Sequence, residues 1–273
     1  MTSTVTTAAL TTADGALHYE LRGRGPLLAL VGSPMDAAAF APVADLLATD
    51  RTVLTTDPRG IGRSPLHDPE QESTPELRAA DLALPIEHAI GHADAGPADV
   101  LGSSGGAVTA LALLQARPEL VRTVVAHEAP LERLLPDRDA LRAHLEDMIA
   151  TYAAGDAVGA WQRFLDAANI PLPAEAMVAT DPEQRATERR WFLHEMRATT
   201  CWDADVDALR VAGDRLVVGI GAESAGEVCD RTSRALAALL GREPVLFPGG
   251  HTGFADDPAA FVPRLREVLA GGR

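Results

Sequence analysis

Apolar residues in this chain fall into short runs separated by longer stretches with helical spacing. Residues 27–31 (Leu-Leu-Ala-Leu-Val) are continuously apolar, as a strand covered on both faces should be. Shorter runs at 53–56, 98–101, 122–126, 216–220 and 244–247 read as further strands. Residues 15–22 alternate apolar and polar, which predicts a half-exposed antiparallel strand. Helical spacing fills the gaps at 38–47, 74–93, 107–116, 225–240 and 257–270, with an interruption expected at Pro85. This alternation predicts an α/β fold with a mostly parallel sheet and helices on both faces.

The rhythm breaks once. Between about residues 131 and 210, helical segments near 138–154, 157–168 and 182–199 follow one another with no strand between them. The organisation expected is a core of residues 1–130 and 211–273 with a helical cap, 131–210, inserted over the carboxyl edge of the sheet.

The strand at 98–101 runs into Gly102-Ser103-Ser104-Gly105-Gly106 and then a helix. A Gly-x-Ser-x-Gly turn between strand and helix lifts a serine hydroxyl out of the sheet, and small residues two before and two after the serine let the backbones pass. Only Ser104 has glycines at both offsets; Ser103 would have Leu101 on one side.

A serine hydroxyl needs a base. His251, in Pro248-Gly249-Gly250-His251-Thr252-Gly253 after the last strand, is the candidate that follows the order nucleophile, acid, histidine. A third group must hold its tautomer. The usual position after the penultimate strand offers Glu223 and no aspartate before Asp230; the alternative, favoured by strand order, is Glu128 in His127-Glu128-Ala129-Pro130. Oxyanion donors are expected from the backbone of Gly105 and of Ser33, because Pro34 has no N–H. Met35 on the same turn is a candidate substrate contact.

Composition adds exclusions. The net charge is −15 over 273 residues and all 24 basic residues are arginine, which argues against nucleic acid or an anionic membrane as partner. Cys201 and Cys229 have no metal-ligand or Cys-x-x-Cys spacing. No metal and no organic cofactor are implied. Met1 to Leu10 is polar Thr/Ala sequence without the basic start and apolar core of a signal, so a cytoplasmic protein is expected. A homodimer stays open. All three tryptophans, 161, 191 and 202, lie in the 131–210 block; ordinary helix packing explains most of them, and an apolar substrate under the cap would use one or two.

These residues resemble the α/β-hydrolase superfamily, through the Ser104 turn, Asp57-Pro58-Arg59-Gly60-Ile61-Gly62-Arg63-Ser64, and His251. Gly32-Ser33-Pro34 and the Ser104-to-Glu128 spacing are similar to haloalkane dehalogenases, whose nucleophile is an aspartate; Ser104 removes that mechanism. The closer likeness is to zearalenone lactonases, through Ser103-Ser104-Gly105-Gly106 and His127-Glu128-Ala129-Pro130. Gly106 stands where that family has alanine. The resemblance implies a Ser104–His251–Glu128 triad and, through Trp191 followed by His194, makes Trp191 a substrate contact. It also implies hydrolysis of an apolar ester or lactone. C–C bond hydrolysis or acyl transfer by the same triad, and a non-catalytic ligand-binding protein, are the other readings.

Overall fold

The computed structural model of the chain describes residues 4–93 and 96–271. Its strands are β1 (Val5–Thr11), β2 (Ala16–Arg22), β3 (Leu27–Val31), β4 (Thr52–Thr56), β5 (Ala98–Ser103), β6 (Val121–His127), β7 (Leu216–Gly221) and β8 (Val245–Phe247). They form one eight-stranded sheet in the order β1-β2-β4-β3-β5-β6-β7-β8. The β1–β2 and β2–β4 pairs are antiparallel and every pair from β4 to β8 is parallel. The apolar runs behave as their composition requires: β3, β5 and β7 are buried along their whole length.

The helices are α1 (Ala41–Leu47), α2 (Pro75–Ala93), α3 (Gly105–Ala116), α4 (Arg138–Ala153), α5 (Ala157–Ala168), α6 (Ala174–Met177), α7 (Pro182–Arg190), α8 (Met196–Thr200), α9 (Val206–Val211), α10 (Val228–Leu239), α11 (Gly253–Asp256) and α12 (Pro258–Leu269). One apolar cluster packs α2, α3, α9 and α10 on one side of the sheet; a second packs α1 and α12 on the other, centred on Phe40, Phe247, Phe254 and Phe261. A third lies within α4 to α8 and joins Trp161, Trp191 and Phe192 to Met148 and Met196. Among the described residues, none between β6 and β7 is in a strand.

Three local expectations are corrected. The polar N-terminus supplies β1, an edge strand paired from Val5↔Arg22 to Thr11↔Ala16; residues 1–3 lie outside the described residues. Helix α2 runs through Pro85 without interruption. The helix expected over 182–199 is broken by a π-helical turn, Trp191–Glu195, between α7 and α8. Such a turn takes an additional residue into the helix and redirects its side chains. No helix among the described residues is long and apolar enough to cross a membrane.

Arg190, at the end of α7, fastens this helical segment to the core. Its Nε donates to the Arg59 carbonyl at 3.0 Å and its Nη1 to the Pro69 carbonyl at 3.1 Å. A Cβ on Gly60 would stand 2.3 Å from that Nε, so the turn after β4 needs glycine to admit the guanidinium.

Candidate active site

The chain turns from β5 into α3 at Ser104, which holds φ 53° and ψ −125°. A non-glycine residue at positive φ is strained and persists only where its surroundings enforce it. Here they do. A Cβ on Gly102 would lie 2.4 Å from the Gly106 carbonyl oxygen, and one on Gly106 would lie 2.0 Å from that of Val31. The Ser104 N–H is fixed on the His127 carbonyl at 2.9 Å. Within 101–110, Ser104 is the one residue that keeps part of its surface exposed.

Ser103 has a different fate. Its buried hydroxyl lies 3.0 Å from His127 Nδ1. Burial pushes the His127 imidazolium down to about 4, so the ring is neutral near pH 7.

Glu128 follows β6 at φ 54° and is fully buried. One carboxylate oxygen accepts the Gly221 N–H at 2.8 Å, and the other meets His251 Nδ1 at 2.6 Å. Burial alone would favour the neutral acid. The hydrogen bond and charge of His251 outweigh it and hold the carboxyl down to about 2. Burial likewise opposes the His251 imidazolium, but contact with Cys229 and Glu128 raises it above its ordinary value.

Glu223 lies two residues beyond β7 and is exposed. Its N–H bonds the Gly249 carbonyl at 3.0 Å, and among the described residues its carboxylate has no hydrogen bond or ion pair. The structure therefore brings Glu128, and not Glu223, to His251. The Ser104 hydroxyl forms no hydrogen bond with His251 in this structure.

The turn after β3 abuts the start of α3. A Cβ on Gly105 would stand 2.8 Å from the Ser33 hydroxyl oxygen and 3.2 Å from its carbonyl oxygen. Among the described residues, neither the Ser33 nor the Gly105 N–H donates to another group. The Ser33 hydroxyl donates to Glu195, which is 1% exposed and whose second carboxylate oxygen is buried without a partner among the described residues. Sequence reasoning passed over Glu195. Its signal was one carboxylate set among Trp191, Phe192, Leu193 and Met196.

Met35 and Trp191 line one cleft of about 490 Å³, together with Pro34, Ile61, Trp161 and Met177. Trp191 stacks on Trp161 with ring centroids 4.9 Å apart. Ser104 and His251 lie outside this lining; Pro34, beside Ser33, is where the cleft comes nearest to the turn in sequence. His194 turns away from it. Its carbonyl accepts the Ser73 N–H at 2.8 Å, and its ring lies 3.5 Å from both Glu70 and Glu72.

A further neighbour was invisible in local spacing. The Cys229 thiol, on the first turn of α10, stands within 4.8 Å of both Glu128 and His251.

A parallel sheet whose strand ends carry Ser33, Ser104, Glu128 and His251 is the arrangement of one large class of hydrolases. The pattern of that family, the alpha/beta hydrolase fold, matches residues 25–203, and the chain belongs to it. It is a hydrolase of this family. It is 28% identical over 281 residues to the uncharacterized hydrolase YraK of Bacillus subtilis (strain 168), covering 97% of each chain. It is 31% identical over 165 residues to the zearalenone hydrolase of Bionectria ochroleuca, covering 57% of this chain and 61% of that one. Among solved structures it resembles an alpha/beta hydrolase from Sphaerobacter thermophilus DSM 20745, with a TM-score of 0.70 at 24% identity over 96% of this chain and all of that one.

Proposed function

We propose that this chain is a serine hydrolase of apolar carboxylic esters or lactones, acting through Ser104, His251 and Glu128. The observation that carries the reading is the buried Glu128 carboxylate held 2.6 Å from His251 Nδ1, at the strand end next to the strained Ser104 turn. Glu128 keeps the Nδ1–H tautomer and stabilises the imidazolium that forms. Nε2 of His251 then takes the Ser104 proton as the hydroxyl attacks the carbonyl. The Ser33 and Gly105 N–H groups receive the oxyanion. Collapse leaves an acyl-enzyme, which water attacks with His251 again as base.

Residues 131–210 act as a cap, and the Met35–Trp191 cleft admits the substrate. Support for a lactone comes from the similarity to zearalenone hydrolase over 165 residues and from the stacked Trp161–Trp191 pair on the cleft wall. A substrate with an aromatic ring suits that wall.

The test is Ser104→Ala. It should abolish hydrolysis of a chromogenic aryl ester and labelling by a fluorophosphonate, with the fold retained by circular dichroism. Labelling that persists at full stoichiometry would overturn the nucleophile. For the substrate class, wild-type protein should open zearalenone to the hydroxy acid, detected by mass spectrometry. Turnover of simple aryl esters alone would restrict the reading to esterase.

A further inference from the structure

Glu128, Cys229 and His251 come from three separate elements: the end of β6, the first turn of α10, and the loop after β8. A carboxylate oxygen, the thiol sulfur and a ring nitrogen all lie within 4.8 Å of one another. Among the described residues, this is the one group of three or more His, Cys, Asp or Glu side chains close enough to hold a metal ion. We infer that these three side chains form a binding site for a thiophilic divalent cation of the zinc type, and that occupancy shuts the hydrolase off.

The donor set selects the ion. Sulfur, imidazole and carboxylate together suit zinc or cadmium, whereas magnesium and calcium take oxygen ligands. A tetrahedral zinc has bonds of about 2.0 to 2.3 Å, which puts its donors roughly 3.3 to 3.7 Å apart. Donors within 4.8 Å reach that spacing by moving about 1 Å, within the range of small side-chain rotations. The Glu128–His251 hydrogen bond at 2.6 Å opens slightly to admit the ion between its partners.

The surroundings allow entry. Glu128 is fully buried, while Cys229 and the His251 side chain, the latter 11% exposed, keep a little surface through which the ion and a water in the fourth position enter. Burial pushes the Cys229 thiol up from its ordinary value, so its proton leaves on coordination and not before. Coordination releases the thiol proton to solvent.

The consequence for catalysis is direct and rests on the proposed roles of His251 and Glu128. A metal on these two side chains removes the base from Ser104 and its carboxylate from the base. The site is therefore inhibitory, unlike a zinc centre that activates water.

Binding is tested apart from activity, on Ser104→Ala protein with zinc chloride by calorimetry and with cobalt chloride by absorption. One equivalent of zinc should bind, and cobalt should give a sulfur-to-metal charge-transfer band in the near ultraviolet. Both should disappear when Cys229→Ser or Cys229→Ala is added, with folding checked by circular dichroism, and should survive Cys201→Ser. Zinc should also inhibit the wild-type esterase, reversibly by chelator. Relative to each protein's own metal-free rate, Cys229→Ser should raise the half-inhibiting zinc concentration by about tenfold or more. Uptake unchanged by either Cys229 substitution, or lost with Cys201, overturns the site. Uptake through Cys229 with undiminished hydrolysis overturns its inhibitory role. Failure of the serine-hydrolase reading shows separately, as absent hydrolysis and absent fluorophosphonate labelling while the binding arms stay readable.

Discussion

Glu195, on the π-helical turn, accepts a hydrogen bond from the hydroxyl of Ser33, 162 residues earlier on the turn after β3. This ties the inserted helices to the segment that abuts the start of α3. Behind Glu195 stands Arg78, buried, whose guanidinium donates to Thr109, to the Ser73 carbonyl and to Thr199. Thr199 donates back to the Glu195 carbonyl at 2.9 Å. A hydroxyl-to-carboxylate bond contributes about 1.5 to 3 kcal/mol when desolvated. Ser33→Ala and Glu195→Ala should each lower kcat for an aryl ester by about tenfold, through a loosened oxyanion turn. Because they break the same bond, the double variant should be little worse than either, with a coupling of roughly 1 to 2 kcal/mol. Effects that simply add would show that the contact does not serve the turn.

The acid is decided by a pair of conservative changes. Glu128→Gln keeps shape but removes the charge that holds His251, and should reduce kcat by about three to four orders of magnitude. Glu223→Gln, at an exposed position, should stay within about twofold. The pH profile is a second reading of the same pair. In the proposed mechanism His251 acts as base when neutral, and although burial opposes its charged form, Cys229 and Glu128 raise its titration above the ordinary 6.5. Activity should therefore rise with pH through a half-point above 6.5 in wild type, and that half-point should fall in residual Glu128→Gln activity. A half-point unmoved by the substitution would mean that another group supplies the titration.

Legibility in the sequence followed the range of the physics. The glycines around Ser104 answer a local demand, space for a passing backbone, and that demand is written at fixed offsets. The buried parallel strands were legible for the same reason, since two covered faces leave few polar positions. Strand β1 was not, because an edge strand of Val, Thr and Ala with mostly exposed positions carries no alternation to read. The π-helical turn adds a residue without changing composition, so the aim of Glu195 could not be read from helical spacing. Glu128 and Glu223 could be separated only by tertiary contact: the Gly221 N–H at the end of β7 is given to Glu128. Cys229 belongs with them, since its neighbours are 101 and 22 residues away in sequence, from positions 128 and 251.

The clearances at the Ser104 turn give a stability prediction with an internal control. Gly102→Ala and Gly106→Ala would each drive a methyl to 2.4 Å or less from a backbone oxygen, in a sheet that cannot yield without shifting β3 or α3. Each should destabilise the fold by about 3 kcal/mol or more, or prevent soluble expression. Gly91→Ala, late in α2 with nothing among the described residues within 4 Å of the new Cβ, should be neutral or stabilising by up to about 1 kcal/mol. Urea denaturation of the three variants distinguishes them; a tolerated Gly106→Ala would show that the strand and helix have more room than their backbones indicate.

His127 makes the fold acid-sensitive in a defined window. The ring is enclosed edge-on by Phe247 and Phe261, with centroids 5.6 and 5.5 Å away, and faces the Ser103 hydroxyl. Burial lowers its titration to about 4 from the ordinary 6.5, so the folded state holds it neutral where the unfolded chain would protonate it. The sign follows. Above pH 6.5 both states are neutral and the contribution is fully present; as pH falls from 6.5 to about 4, the unfolded state gains a proton that the folded state refuses, and stability is lost. The loss from this group amounts to roughly 3 kcal/mol by pH 4. Glu128 acts in the same direction but lower, its contribution being lost as pH falls from 4.5 toward about 2. His127→Gln keeps a hydrogen-bonding partner for Ser103 and cannot titrate. It should be less stable than wild type at pH 7, where a packed ring is lost, yet its urea midpoint should fall less between pH 7 and pH 4.5. Parallel decline of wild type and variant over that interval would assign the acid sensitivity to other groups.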